Sequence, residues 1–147
     1  MFLAYVINSL VVVLVVALHY EYLHQTSRYL STVPLHPRFR IVLGVVGALL
    51  AHATEIWIFA IAYYLAIEHL DWGSLEGLDA LSLLDCVYYS FTVYTTLGFG
   101  DIVPQGNIRY LTGIESLTGL VLITWTASFL YLEMQKYWDS ENHPKGG

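Results

Sequence analysis

The residues best placed to do chemistry are Thr95-Thr96-Leu97-Gly98-Phe99-Gly100-Asp101, which lie between two long apolar stretches. They follow a segment of helical character that is too short to cross a bilayer. Their chemistry would be cation coordination by main-chain oxygen. A row of carbonyls replaces the water shell of a cation only if successive groups point towards a common axis. That alignment needs a backbone alternating between right- and left-handed conformations, and the left-handed positions fall to glycine, which has no Cβ. Gly98 and Gly100 stand at this alternate spacing. Thr96 adds a hydroxyl at the inner end, and Asp101 places a carboxylate just past the outer end. In a soluble protein the same string would read as a loop with two turn glycines; its apolar flanks favour the ion-coordinating reading.

Thr96-Leu97-Gly98-Phe99-Gly100-Asp101 resembles the signature of the potassium-channel pore family, usually Thr-Val-Gly-Tyr-Gly-Asp. The resemblance covers roughly Leu78 to Trp138, about two fifths of the chain. It implies a selectivity filter in which Thr96, Leu97, Gly98, Phe99 and Gly100 supply the oxygens, with K+ held at Thr96, Leu97, Gly98 and Phe99. It further implies passive conduction, no covalent chemistry, no cofactor beyond the permeant ion, and four copies around one axis. Leu97 and Phe99 depart from the commonest residues: Leu97 keeps an apolar side chain behind the filter, whereas Phe99 lacks the phenol hydroxyl that ties the filter to its cuff in relatives. Val93 stands where the family often has another Thr. Pro104 follows Asp101 at the family's spacing, and Gly119 falls near the hinge glycine of many pore-lining helices. Thr112, Ser116 and Gly119 also form a small-residue face suited to close packing.

Composition places the chain in a membrane. With 56% hydrophobic and 12% charged residues and a positive mean hydropathy, 147 residues offer too little polar surface for a soluble globule. Three segments can cross about 30 Å of hydrocarbon: roughly Phe2 to His19, Ile41 to Ile67 and Tyr110 to Leu132. No Lys or Arg precedes the first run and no small-x-small cleavage site follows Ala17, so it reads as a retained helix and not a signal peptide. The expected fold is all-α: three transmembrane helices plus a re-entrant pore helix and filter, assembled as a homotetramer in a lipid bilayer. Its divisions are an extra helix at 1–20, a cytoplasmic loop at 21–40, a pore domain at 41–135 and a short tail at 136–147. Nothing suggests nucleic-acid binding.

Orientation follows from the basic residues. Arg28, Arg38 and Arg40 lie in the first loop and Lys136 and Lys145 in the tail, leaving Arg109 alone opposite, so the N-terminus is expected outside and the C-terminus in the cytoplasm of a multi-pass cell-membrane protein. Glu68, Asp71, Glu76, Asp79, Asp85 and Asp101 then surround the outer entrance, where acidic groups raise local cation concentration. A merely solvated acidic loop is the plainer account of each except Asp101, which adjoins the filter.

Between the first two helices, Thr26 to Pro37 carries Ser, Thr, Arg and two prolines and reads as a connection. Gly44, Ala48 and Ala51 give the second helix a small-residue stripe, and Tyr63-Tyr64 is expected at the outer interface. Ser82-Leu83-Leu84-Asp85 is a capping pattern that predicts a helix over Leu83 to Tyr94. At about 18 Å it would stop partway and present a partially negative carboxyl end to a cation. Irregular backbone at membrane depth survives only when enclosed by protein, and one chain offers too little enclosure. Cys86, the single cysteine, rules out an intrachain disulfide and reads as packing.

Two carboxyls interrupt the apolar runs, at a cost near 2.5–3.5 kcal/mol each unless sheltered. Glu115 is expected to face the pore helix and the second helix, supporting the filter together with Thr92 and Asp101. Thr92 holds the position where some relatives carry a buried carboxyl. His52 and Glu55 lie one turn apart, a spacing compatible with metal binding. A hydrogen-bonded structural pair is the plainer reading, and a membrane metal-binding enzyme using His52 and Glu55 is the alternative from another class. His19, His24 and His36 are expected near the cytoplasmic side at a different depth, where imidazoles can respond to internal pH. Glu133 is expected near the inner mouth. Within transport, the alternatives are a weakly selective monovalent cation channel and an electrically silent subunit. The first helix has no Arg or Lys ladder, so a charged-helix voltage sensor is unsupported, and the residues after Leu132 are too few for a regulatory domain. Gating at the filter or by tension, lipid or an unidentified regulatory partner stays open.

Overall fold

The computed structural model describes residues 2–32, 34 and 36–142. Its elements follow in the order α1 (Phe2–Thr32), α2 (Pro37–Glu68), β1 (Gly73–Glu76), α3 (Leu83–Tyr94), β2 (Val103–Gly106) and α4 (Ile108–Asn142). The chain is mostly helical. Three helices contain stretches long and apolar enough to cross a membrane: Leu3–Thr32, Arg38–Glu68 and Ile108–Lys136.

Each long helix buries one stripe. On α1 the buried residues are Ala4, Asn8, Val15, His19, Leu23 and Leu30, spaced in steps of four and seven that keep one face inward. That face packs against both α2 and α4. On α4 the buried stripe is Leu111, Glu115, Thr118, Gly119, Leu122 and Thr126, while Leu117, Leu120, Val121 and Thr124 form an exposed stripe on the other side. Gly44 of α2 is in close reach of Leu30 and Leu130, so the small-residue stripe lets three helices converge there.

The short helix α3 has the predicted limits. Ser82 is its N-cap, with Asp85 N–H donating to the Ser82 hydroxyl and Ser82 N–H donating to Asp85, each at 3.2 Å; such a capping box is worth about 1 kcal/mol. One face of α3 is buried with Cys86, Tyr89, Ser90 and Val93, while Leu84, Tyr88 and Phe91 are exposed at helical spacing. The two strands on either side of α3 pair antiparallel, Gly73 opposite Gly106 and Leu75 opposite Pro104. Gly77, at φ +103°, lets this ribbon close on the segment after α3, because a Cβ there would strike the Asp101 carbonyl.

Two expectations are corrected. α1 does not end near His19 but continues to Thr32, because residues 20–32 contain no glycine or proline and Leu23 and Leu30 prolong its buried stripe. Most of the expected loop at 21–40 is therefore helix, and α2 starts at Pro37, a residue suited to the first helical position. Tyr63 is fully buried and not an interfacial anchor, since Glu115 gives its hydroxyl a partner inside. Lys145 and the end of the tail lie outside the described residues.

Candidate functional site

The segment after α3 has the backbone alternation that aligned carbonyls require. Thr96, Gly98 and Gly100 have φ of 59°, 48° and 81°, while Leu97 and Phe99 between them do not enter the positive-φ region. Glycine adopts such angles freely, but a β-branched residue does so only under constraint. The constraint on Thr96 is visible: its N–H donates to the Val93 carbonyl at 2.9 Å, and the Gly98 N–H donates to the Thr92 carbonyl at 3.0 Å. The segment is thus folded back against the carboxyl end of α3. A side chain at Gly98 or Gly100 would meet nothing, so glycine is required there by dihedral angle and not by space.

Thr92 meets this segment through its main chain. Its hydroxyl turns away, donating to the Tyr89 carbonyl at 2.8 Å. Asp101 follows Gly100 and accepts from the Tyr88 hydroxyl at 2.6 Å. That bond holds the Asp101 carboxyl below the usual carboxylate range and the exposed Tyr88 phenol above its own. Leu97 and Phe99 are 60% and 65% exposed in the single chain.

Two of the buried glutamates, Glu55 and Glu115, stand behind α3. Glu115 accepts from Ser90 of α3 and from Tyr63 of α2, the latter at 2.6 Å, and Ser90 also lies 2.9 Å from the Ile56 carbonyl. Thr112 joins this group through the Tyr63 hydroxyl, at 3.3 Å, and in turn meets the Tyr89 hydroxyl at 2.9 Å. Glu115 therefore faces α2 and α3, as its place in the sequence suggests. Glu55 lies against the last residue of α3, accepting from the Tyr94 hydroxyl, with His52 Nδ1 at 3.1 Å. His19 of α1 contradicts the expected difference in depth: it is fully buried and its Nδ1 is 2.7 Å from Glu55. The sequence reading missed Tyr63, Ser90, Tyr94 and His19 as partners. A signal for His19 existed, since it falls on the Val15-His19-Leu23 face of α1, where a polar residue needs a buried partner. His24 and His36 are exposed.

Gly119 sits in unbroken helix with its Cα against α3; a Cβ there would run into the Tyr94 carbonyl oxygen. Close packing accounts for this glycine directly. Glu133, also buried, accepts from Ser27 at 2.9 Å and from Lys136 at 2.6 Å, tying the far ends of α1 and α4 together.

A family model described as "Ion channel" matches residues 51–136, more than half of the chain, and the chain belongs to that family. Among curated proteins it is 33% identical over 75 residues to "Two pore potassium channel b" of Oryza sativa subsp. japonica. That match covers 51% of this chain and 18% of the relative, so the chain spans under a fifth of the relative's length. No solved structure matches it. The matched family region contains α3, the segment after it and most of α4. The resemblance of Thr96–Asp101 to potassium-channel pores agrees with both matches, and a membrane is the location that the family and the three apolar helices define.

Proposed function

We propose that this protein is a potassium-selective channel that works as a homotetramer, with the oxygens of Thr96, Leu97, Gly98, Phe99 and Gly100 forming the filter. The observation that carries this reading is the left-handed Thr96 in register with Gly98 and Gly100, since strain in a β-branched residue persists where the surroundings enforce it for function. The exposed stripes Leu84-Tyr88-Phe91 of α3 and Leu117-Leu120-Val121 of α4 support assembly. Such faces suit contact with neighbouring copies around an axis, and an irregular segment at membrane depth needs that enclosure. In this assembly α3 is re-entrant, α2 is the outer helix and α4 the inner one, α1 packs peripherally, and residues 41–135 make the pore domain. The distribution of basic residues supports an N-terminus outside, with the acidic loop residues then at the outer mouth.

Purified protein in liposomes loaded with K+ should give K+ flux and, with K+ on one side and Na+ on the other, a reversal potential near the K+ limit. A reversal potential near zero would assign the weakly selective alternative, and no flux from this chain alone would assign the silent subunit. Gly98→Ala should abolish the flux, because alanine is unfavourable at φ 48° by roughly 1–2 kcal/mol per subunit.

A further inference from the structure

A second cluster, built mainly from α1 and α2, brings together groups that the conduction reading does not use. Glu55 lies within the apolar run of α2 with its side chain 2% exposed. His19 Nδ1 of α1 approaches its Oε1 at 2.7 Å, His52 Nδ1 approaches its Oε2 at 3.1 Å, and the Tyr94 hydroxyl meets both Oε2 and, at 2.9 Å, His52 Nδ1. From α4, Thr126 Oγ1 stands 3.3 Å from His19 Nε2, and the Trp125 ring lies beside the same imidazole. The groups facing Glu55 are thus two imidazoles and a phenol, none with a fixed positive charge. A carboxylate kept inside a bundle calls for a cation to complete it.

We propose that His19, His52 and Glu55 form a site for one divalent transition-metal ion of the zinc class, which clamps α1 and α2 together beside the last residue of α3. One ligand atom from each of the three lies within 4.8 Å of the other two. Two imidazole nitrogens and one carboxylate oxygen are the donor set of zinc-class ions, whereas calcium and magnesium favour oxygen alone. The Tyr94 hydroxyl stands ready as a fourth polar group. Thr126, on the opposite nitrogen of His19, holds that ring in the orientation that turns Nδ1 inwards, as outer partners of metal-bound histidines do. His52, 15% exposed at its side chain, is the point of entry. Occupancy would also fix Tyr94, whose hydroxyl belongs to the cluster and whose carbonyl packs on Gly119 of α4.

The test uses purified full-length protein equilibrated with Zn2+ or Co2+ and freed of excess metal. One metal per subunit and the visible ligand-field bands of four-coordinate Co2+ are expected. His19→Gln should lose the stoichiometric metal, and Thr126→Ala should weaken binding roughly tenfold. His52→Cys should keep Co2+ and add sulfur-to-metal charge-transfer absorption, a signature that misfolded protein would not give. Absence of bound metal in the wild type, or undiminished binding in His19→Gln, would overturn the site and leave a proton-bridged hydrogen-bond network. These readouts are independent of ion flux, so they stand or fall separately from the filter.

Discussion

Glu55 and Glu115 are both carboxylates sunk in apolar helices, yet they are dressed with different chemistry. Glu115 sees only hydroxyls, from Ser90 and Tyr63, whereas Glu55 sees two imidazoles and a phenol. Both reach α3, one at its middle and the other at its last residue. Hydroxyls satisfy a carboxyl by hydrogen bonds alone, which suits a fixed brace. Imidazoles are bases and ligands as well, so the Glu55 group can take up a cation. One short helix is therefore held at its middle by hydroxyls alone and at its last residue by the group proposed to take a metal.

The largest expected effect separates these two. Glu115→Ala removes the acceptor shared by two buried hydroxyls, leaving Ser90 only the Ile56 carbonyl and Tyr63 only Thr112 at 3.3 Å, and should destabilise the protein by about 2–3 kcal/mol, read as a fall in the thermal midpoint in detergent. Glu115→Gln retains an acceptor oxygen and should cost less than about 1 kcal/mol, whereas Glu55→Gln should cost more than that, since its partners are imidazoles. The reverse order for the two glutamines would break the comparison.

A second contrast lies within α4. Gly119→Ala forces a methyl group into the Tyr94 carbonyl and should cost about 1–3 kcal/mol by overpacking. Gly113→Ala, where a Cβ meets nothing, should be neutral or stabilising by up to about 1 kcal/mol. Equal effects at the two positions would mean that Gly119 serves motion and not contact. Ser90→Ala, which deletes a single link to Glu115, should cost about 0.6 kcal/mol and no more than about 1.7.

The smallest effect is expected beside the segment after α3, where Tyr88 and Asp101 make an exposed counterpart to the buried pairs. Because the bond lowers the Asp101 pKa and raises that of Tyr88, its contribution is complete between about pH 4 and pH 10. It is lost as pH falls through the lowered Asp101 value, and again as pH rises through the raised Tyr88 value. The difference in thermal midpoint between wild type and Tyr88→Phe should follow that window. A difference persisting in strong acid would show that the phenol acts by packing alone.

Local signals were legible in the sequence, and contacts between distant segments were not. The Ser82–Asp85 box gave the start of α3 because capping involves neighbours only. Gly98 and Gly100 marked the left-handed positions, yet Thr96, the third, carries no residue signal and owes its angle to the hydrogen bonds at the end of α3. Prolines at 34 and 37 drew attention to the first connection, but its length depended on α1 finding α2 and α4 as far as Leu30. The same holds for His19: an α1 ending there would put that imidazole near the cytoplasmic side, whereas a helix running on to Thr32 carries it at mid-length, level with Glu55. Tyr63 looked interfacial because tyrosine pairs often are, while the acceptor that buries it lies 52 positions away.

The three long helices run 31, 32 and 35 residues, or about 46–52 Å, against a hydrocarbon thickness near 30 Å. At the end away from α3 the Ser27–Glu133 bond still ties α1 to α4, and Lys136 of the same helix holds the Glu133 carboxyl in place. Helices longer than the hydrocarbon is thick thus keep a side-chain cross-tie close to their carboxyl ends, which resists splaying there without help from a loop.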